Sequence, residues 1–169
     1  MSKAFTSEET PEAGPVVRAP PRLAPGEVRY VTPEGQAALR EALAGARAER
    51  AGAAALPEPA RAARLADLDA RAALLEATLA TLTVLGPEAT PAGQVGFGSW
   101  VTVEDDDGGR TTWRLVGPDE VDPRRGLISV HSPVARALLG RRAGDEVEVA
   151  RPGGERHLAI AAVERERSG

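Results

Sequence analysis

Val95-Gly-Phe-Gly-Ser-Trp-Val-Thr-Val103, Leu115-Val-Gly-Pro-Asp-Glu-Val-Asp122 and Leu127-Ile-Ser-Val-His-Ser-Pro-Val-Ala-Arg-Ala-Leu-Leu-Gly140 decide how this chain is read. Val101 and Val103 alternate with polar neighbours, the period of a half-buried strand. Trp113, Leu115 and Val116 make a second such run, and Asp105-Asp-Asp-Gly-Gly109 between them has the composition of a hairpin turn. Ser132 before Pro133 starts a helix: a hydroxyl to cap it and a residue that needs no amide hydrogen in its first turn. Val134, Ala137 and Leu138 form its buried face, and Gly140 stops it. Two more strands, Glu146 to Ala150 and His157 to Val163, flank the turn Pro152-Gly153-Gly154. The spacing predicts a small, mostly antiparallel sheet with one short helix packed on it.

Upstream, Gly86 to Gly93 is a linker by composition. Before it the period becomes helical. Leu65, Leu68, Ala72, Leu75, Leu79 and Leu82 recur in steps of three and four, an apolar seam that must be buried. The nearest partner is the helix announced by Thr32-Pro33-Glu34 and carried on by Leu39, Leu43 and Ala46. Gly52 and Pro57-Glu58-Pro59 end that helix, so the two fold back as an antiparallel pair. Residues 1–29 show no period and are rich in Pro, Glu, Gly and Ala, as expected of a disordered tail. The expected units are a tail (1–29), a coiled-coil hairpin (30–85), a linker (86–95) and a β domain (96–166).

Composition narrows the function classes. Aromatic residues are 3 % of the 169, and alanine is abundant, so the core is thin. A net charge of -4 argues against broad direct binding to a phosphate backbone. With no cysteine there is no disulfide and no thiol nucleophile. No apolar run has membrane-spanning length, and no signal-peptide core follows Met1, so a soluble cytoplasmic protein is expected.

These elements, in this order, resemble the GreA/GreB family of bacterial transcript cleavage factors. Met1-Ser-Lys-Ala-Phe-Thr6 resembles the extended N-terminus of GreB-type members, and Tyr30-Val-Thr-Pro-Glu-Gly35 with Leu39, Arg40, Glu41 and Leu43 resembles the start of the first helix. Arg64-Leu65, Asp67-Leu-Asp69 and Leu75 resemble the returning helix. Phe97-Gly-Ser99, Val116-Gly117, Glu120-Val-Asp122, Ile128-Ser129 and Ser132 to Gly140 resemble the globular domain. The resemblance implies an α+β fold, an N-terminal antiparallel coiled-coil hairpin followed by an FKBP-like antiparallel β domain with one short helix. It implies a partner, bacterial RNA polymerase, met at the secondary-channel rim of its largest subunit through Ile128, Ser129, Ser132 and Pro133. Nucleic acid is then touched only through the elongation complex. The factor is expected to be a monomer, without cofactor or membrane, and not itself an enzyme.

In the family, the hairpin tip carries an Asp and a Glu three residues apart that help hold the second magnesium ion of the polymerase active site. Hard cations take carboxylate oxygens, and two at that spacing project from one face of a helical turn. Here the family pattern runs forward to about Arg50 and backward to about Arg64. About ten residues are missing from each helix, which removes about 15 Å of reach. The tip that remains, Ala51-Gly-Ala-Ala-Ala-Leu-Pro-Glu-Pro59, has Glu58 as its single carboxylate. The resemblance therefore implies a factor that regulates elongation without stimulating cleavage.

Other candidate sites have plainer explanations. Asp105, Asp106 and Asp107 belong to a turn, Ser132 has a capping role and no adjacent base, and His131 has no second ligand at metal spacing. Gly96-Phe-Gly98 leads into a strand rather than a helix, unlike a nucleotide loop. Arg40, Arg47, Arg50, Arg61, Arg64 and Arg71 either line an acidic channel or solvate the helices. Two alternatives remain at this point: an Rnk-like polymerase-binding regulator, which shares the globular domain and a short hairpin, and an FKBP-type prolyl isomerase. The second needs an aromatic-lined pocket, and the chain has only Phe5, Tyr30, Phe97, Trp100 and Trp113 to build one.

Overall fold

The computed structural model describes residues 24–167; most of the expected tail, residues 1–23, lies outside them. Residues 24–28 precede a short strand, β1 (Arg29–Val31). Thr32 then caps α1 (Pro33–Ala53), its hydroxyl accepting from the Gly35 amide at 3.0 Å. The chain turns at Ala54 to Pro59 and returns as α2 (Ala60–Thr81). Leu43, Ala46 and Ala53 on α1 meet Leu68 and Leu75 on α2, so the hairpin is the expected one. With 21 and 22 residues, its helices are about 31 and 33 Å long. Alanines on the facing surface let the axes approach, and each buried leucine contributes about 1.5–3 kcal/mol.

Leu82, expected as the last seam position, instead opens β2 (Leu82–Val84), which pairs in parallel with β1. The two ends of the hairpin are thus tied together at its base. Residues 86–95, expected as a linker, include a 3-10 turn at Pro87–Ala89 and finish on Val95, which is buried in the core of the second half.

That half is a five-stranded sheet in the order β5-β4-β3-β7-β6. Its strands are β3 (Trp100–Asp105), β4 (Arg110–Val116), β5 (Leu127–Ser129), β6 (Glu146–Arg151) and β7 (Gly154–Glu164). The β3–β4, β3–β7 and β6–β7 pairs are antiparallel, as expected. The β4–β5 pair is the parallel exception in a sheet expected to be mostly antiparallel: Leu127, Ile128 and Ser129 run parallel to Arg114, Leu115 and Val116. A parallel neighbour needs a crossover. The 3-10 turns at Pro118–Glu120 and Pro123–Arg125 provide it, the second closed by Gly126 at φ 72°. A Cβ on Gly126 would stand 2.8 Å from the Thr112 carbonyl oxygen, so glycine is required there for space as well as for backbone angle. The helix α3 (Pro133–Leu138) covers one face, and Val101, Val103, Leu115, Leu138, Leu158 and Ile160 form the centre of the core.

Candidate functional site

The loop from β5 into α3 holds the four residues expected to meet a partner. Strand pairing fixes Ile128 opposite Leu115 and Ser129 opposite Val116. Val130 donates to the Val116 carbonyl at 2.9 Å, and Ser132 closes a turn by donating to the Ser129 carbonyl at 2.9 Å. The Ser129 hydroxyl accepts from the His131 amide at 3.1 Å, and the Ser132 hydroxyl accepts from the Ala135 amide at 3.2 Å. Both serines are half-buried, and Ile128 packs against the core. What this loop offers outward is Pro133, His131 and Arg136. The four expected residues are brought together, but the two hydroxyls already have local work.

Leu138 and Leu139 part at the end of the helix. Leu138 is fully buried, whereas Leu139 is 38 % exposed. The helix has ended by then: Leu139 is its C-cap in an extended conformation, and Gly140 at φ 81° turns the chain away. A capping residue no longer follows the helical period, so its side chain leaves the apolar face.

At the far end of the hairpin, Glu58 is not a free carboxylate. It accepts from Arg61 Nε at 2.9 Å and from the Ala62 amide at 3.4 Å, so it closes the open amide end of α2. Ala54, Ala55 and Leu56 around it are exposed. Among the described residues no group of three or more His, Asp or Glu side chains is placed to hold a metal ion.

The hairpin arginines are mostly paired. Arg47 meets Glu76, Arg50 meets Asp69, and Arg64 meets Glu49 and Asp67. The pairs with Glu76, Asp69 and Glu49 bridge α1 and α2 along an exposed face, that with Asp67 lies within α2, and together they neutralise much of the positive charge there. That favours helix solvation over a lining for an acidic channel.

The base of the hairpin carries a set of charged residues with no sequence signal. Arg29 is almost wholly buried and forks onto Asp119, with Nε 2.6 Å from Oδ2. Glu120 accepts from the Thr32 amide at 3.0 Å and the Gly117 amide at 3.1 Å, and from the Thr32 hydroxyl. Arg114, also buried, donates to the Gly98 carbonyl at 3.0 Å and to Glu34 at 3.1 Å, and lies 5.7 Å over the Trp100 ring. Partial burial acts to raise the Glu34 pKa; its own amide at the helix start, the Arg114 charge and hydrogen bond, and Thr32 outweigh that and hold it below the ordinary value.

Shallow hollows lie elsewhere on the surface of the described residues. One is lined by Asp105–Asp107 and residues 151–157, another by Ala137, Arg141, Glu146, Val147, Glu148 and His157. No Phe, Tyr or Trp lines either of them.

The structure is thus a short helical hairpin bonded at its base to a five-stranded sheet, with a loop from the sheet's edge into a proline-started helix. Residues 90–165 match the family model described as the C-terminal part of the GreA/GreB transcription elongation factors. Over those residues, just under half of its length, the chain is similar to the GreA/GreB family. It is 46 % identical over 92 residues to the transcription elongation factor GreB of Yersinia pestis, covering 54 % of each protein. It is 46 % identical over 91 residues to the transcription elongation factor GreA of Alkalilimnicola ehrlichii, covering 53 % of this chain and 58 % of that one. Those matches therefore span little more than half the length of the relatives. Among solved structures, the chain is similar to a GreA/GreB factor from Nitrosomonas europaea, with a TM-score of 0.41, 28 % identity, and coverage of 82 % of this chain and 98 % of that one. It is also similar to the GreA factor homolog 1 protein of Thermus thermophilus, with a TM-score of 0.39, 26 % identity, and coverage of 82 % and 99 %.

Proposed function

We propose that this protein is a GreA/GreB-type elongation factor that binds bacterial RNA polymerase at the secondary-channel rim and regulates elongation without stimulating transcript cleavage. The C-terminal domain docks through the β5–α3 loop, where Pro133 is exposed beside half-buried Ile128, Ser129 and Ser132. The hairpin occupies the channel mouth. The observation that carries the second half of the reading is the tip. Its one carboxylate, Glu58, is tied to Arg61 and to the Ala62 amide in the first turn of α2, on a hairpin of about 31 Å. Two-metal hydrolysis needs free carboxylate oxygens placed at the ion, and positioning dominates such chemistry. The protein then contributes no reacting group and acts by occupancy, in competition with longer factors.

The test pairs retention with chemistry. Immobilised full-length protein retains core RNA polymerase, and backtracked elongation complexes given the protein release no cleaved RNA above background. Failure to retain polymerase removes the partner; robust cleavage removes the claim of a silent tip.

A further inference from the structure

The charged cluster at the hairpin base does more than join two halves. We propose that Glu120 and Gly117 are positioning residues that hold the hairpin in one orientation relative to the sheet. Glu120 uses a single oxygen, Oε2, to accept one backbone amide from each side of the joint, Thr32 and Gly117. Its other oxygen accepts from the Thr32 hydroxyl, and that same hydroxyl caps α1 by accepting from Gly35. The first turn of the helix is thereby fastened to the globular half through its own cap.

Two further attachments lie off that point. Arg29, on the strand that enters α1, is forked onto Asp119. Arg114, from the centre of the sheet, reaches Glu34 in the first turn of α1. A body held at three separate points cannot pivot about any one of them. Charge-assisted and forked bonds add geometric specificity to that hold.

Close approach is what makes the joint possible. A Cβ on Gly117 would stand 2.1 Å from the Tyr30 carbonyl oxygen, and one on Gly35 would stand 2.0 Å from a Glu120 oxygen. Gly117 has φ -68°, a value open to any residue, so its lack of a side chain serves space and not backbone freedom. A methyl group at 117 is a wedge driven into the joint from a backbone that tolerates it.

The lever is long. A tilt of about 20° at the base moves the tip of a 31 Å helix by about 11 Å. Where the tip goes when the globular half is docked is therefore set by this joint, a consequence that rests on the function proposed above. The orientation itself does not rest on it.

The chain has no cysteine, so spin labels can be placed on the full-length protein at Ala55→Cys in the exposed tip turn and Glu155→Cys, exposed at the start of β7. The expected result is one narrow distance distribution. Adding Gly117→Ala or Glu120→Ala broadens it or moves it by about 10 Å, the displacement of a 20° tilt. Adding Glu76→Ala, which removes an exposed hairpin pair, leaves it unchanged. A broad distribution before any of these changes overturns the proposal, as does an unchanged one in both joint variants. Should Gly117→Ala fail to fold, the near-isosteric Glu120→Gln probes the same bonds. Polymerase retention is measured separately: its absence in the unaltered protein sinks the functional reading and leaves the distance result standing.

Discussion

Arg29 and Asp119 form a buried ion pair across ninety positions of sequence, with only 2 % and 9 % of their side chains exposed. The exposed pairs along the hairpin, such as Arg47 with Glu76, stand in open solvent at 62 % and 51 %. The two kinds of pair have different consequences. Asp119→Ala leaves a buried guanidinium without its partner and lowers stability by about 3–5 kcal/mol. Glu76→Ala costs about 0.2–1 kcal/mol, because water already screens that pair. Urea unfolding of the full chain followed by circular dichroism measures both, and equal effects would refute the distinction.

Acid acts on the same joint. Glu34 has a folded pKa below its ordinary 4.5, held there by its own amide and Arg114 against the opposing effect of burial. A depressed carboxylate contributes stability above its unfolded pKa, and that contribution disappears as pH falls through the folded value. Arg114 also lies over Trp100, so its release changes the indole environment. Tryptophan fluorescence is expected to show a step below pH 4.5 that Glu34→Gln abolishes. A step that persists in the variant would assign it to another group.

Much of this fold was legible because its signals are local. Thr32-Pro33 and Ser132-Pro133 start their helices as read, since an N-cap needs only a hydroxyl and the amides one turn ahead. The leucine seam paired the helices, and the turn at Asp105 to Gly109 closed its hairpin. What could not be read depends on contacts between distant residues. β1 and β2 are three residues each and acquire strand geometry only from one another. The parallel placement of β5 depends on a crossover with no period of its own. Nothing local marks Arg29 and Arg114 for burial, because their acidic partners lie 90 and 80 positions away. In the β5–α3 loop the capping bond of Ser132 was legible, whereas the bond of the Ser129 hydroxyl to the His131 amide has no sequence pattern to announce it.

Leu138 and Leu139 separate two readings of adjacent identical residues. Leu138→Ala opens a cavity in the sheet core and costs about 2–5 kcal/mol. Leu139→Ala costs distinctly less, about 0.5–1 kcal/mol, because 38 % of that residue is already exposed and no closed cavity is left. The same denaturation assay reads both.

Ser132 must be tested with its structural task in view. Ser132→Ala removes the cap that the Ala135 amide uses and costs about 1 kcal/mol, while Ser132→Asp restores an acceptor and most of the stability. Loss of polymerase retention in Ser132→Ala alone would thus confound folding with contact. Pro133→Ala keeps the cap and changes only an exposed ring. Weakened retention in Pro133→Ala at unchanged stability is the expected signature of a surface role, and unchanged retention would move the contact elsewhere.

The tip separates missing acid from missing reach. Ala54→Asp with Leu56→Glu puts new carboxylates on an exposed turn that is not crowded by other side chains, so the folded hairpin accepts them. If the acid alone were missing, this variant would release cleaved RNA from backtracked complexes. Reach enters the geometry separately: about ten residues per helix correspond to about 15 Å, and a carboxylate that far from an ion cannot enter its coordination shell. The double variant is therefore expected to remain silent, and cleavage is expected only when both helices are lengthened by about ten residues in matched register and the acids are carried at the new tip. The lengthened hairpin without acids is the necessary control, since it restores occupancy of the deeper channel but supplies no ligand. Cleavage by the short double variant would show that distance is not what silences this hairpin.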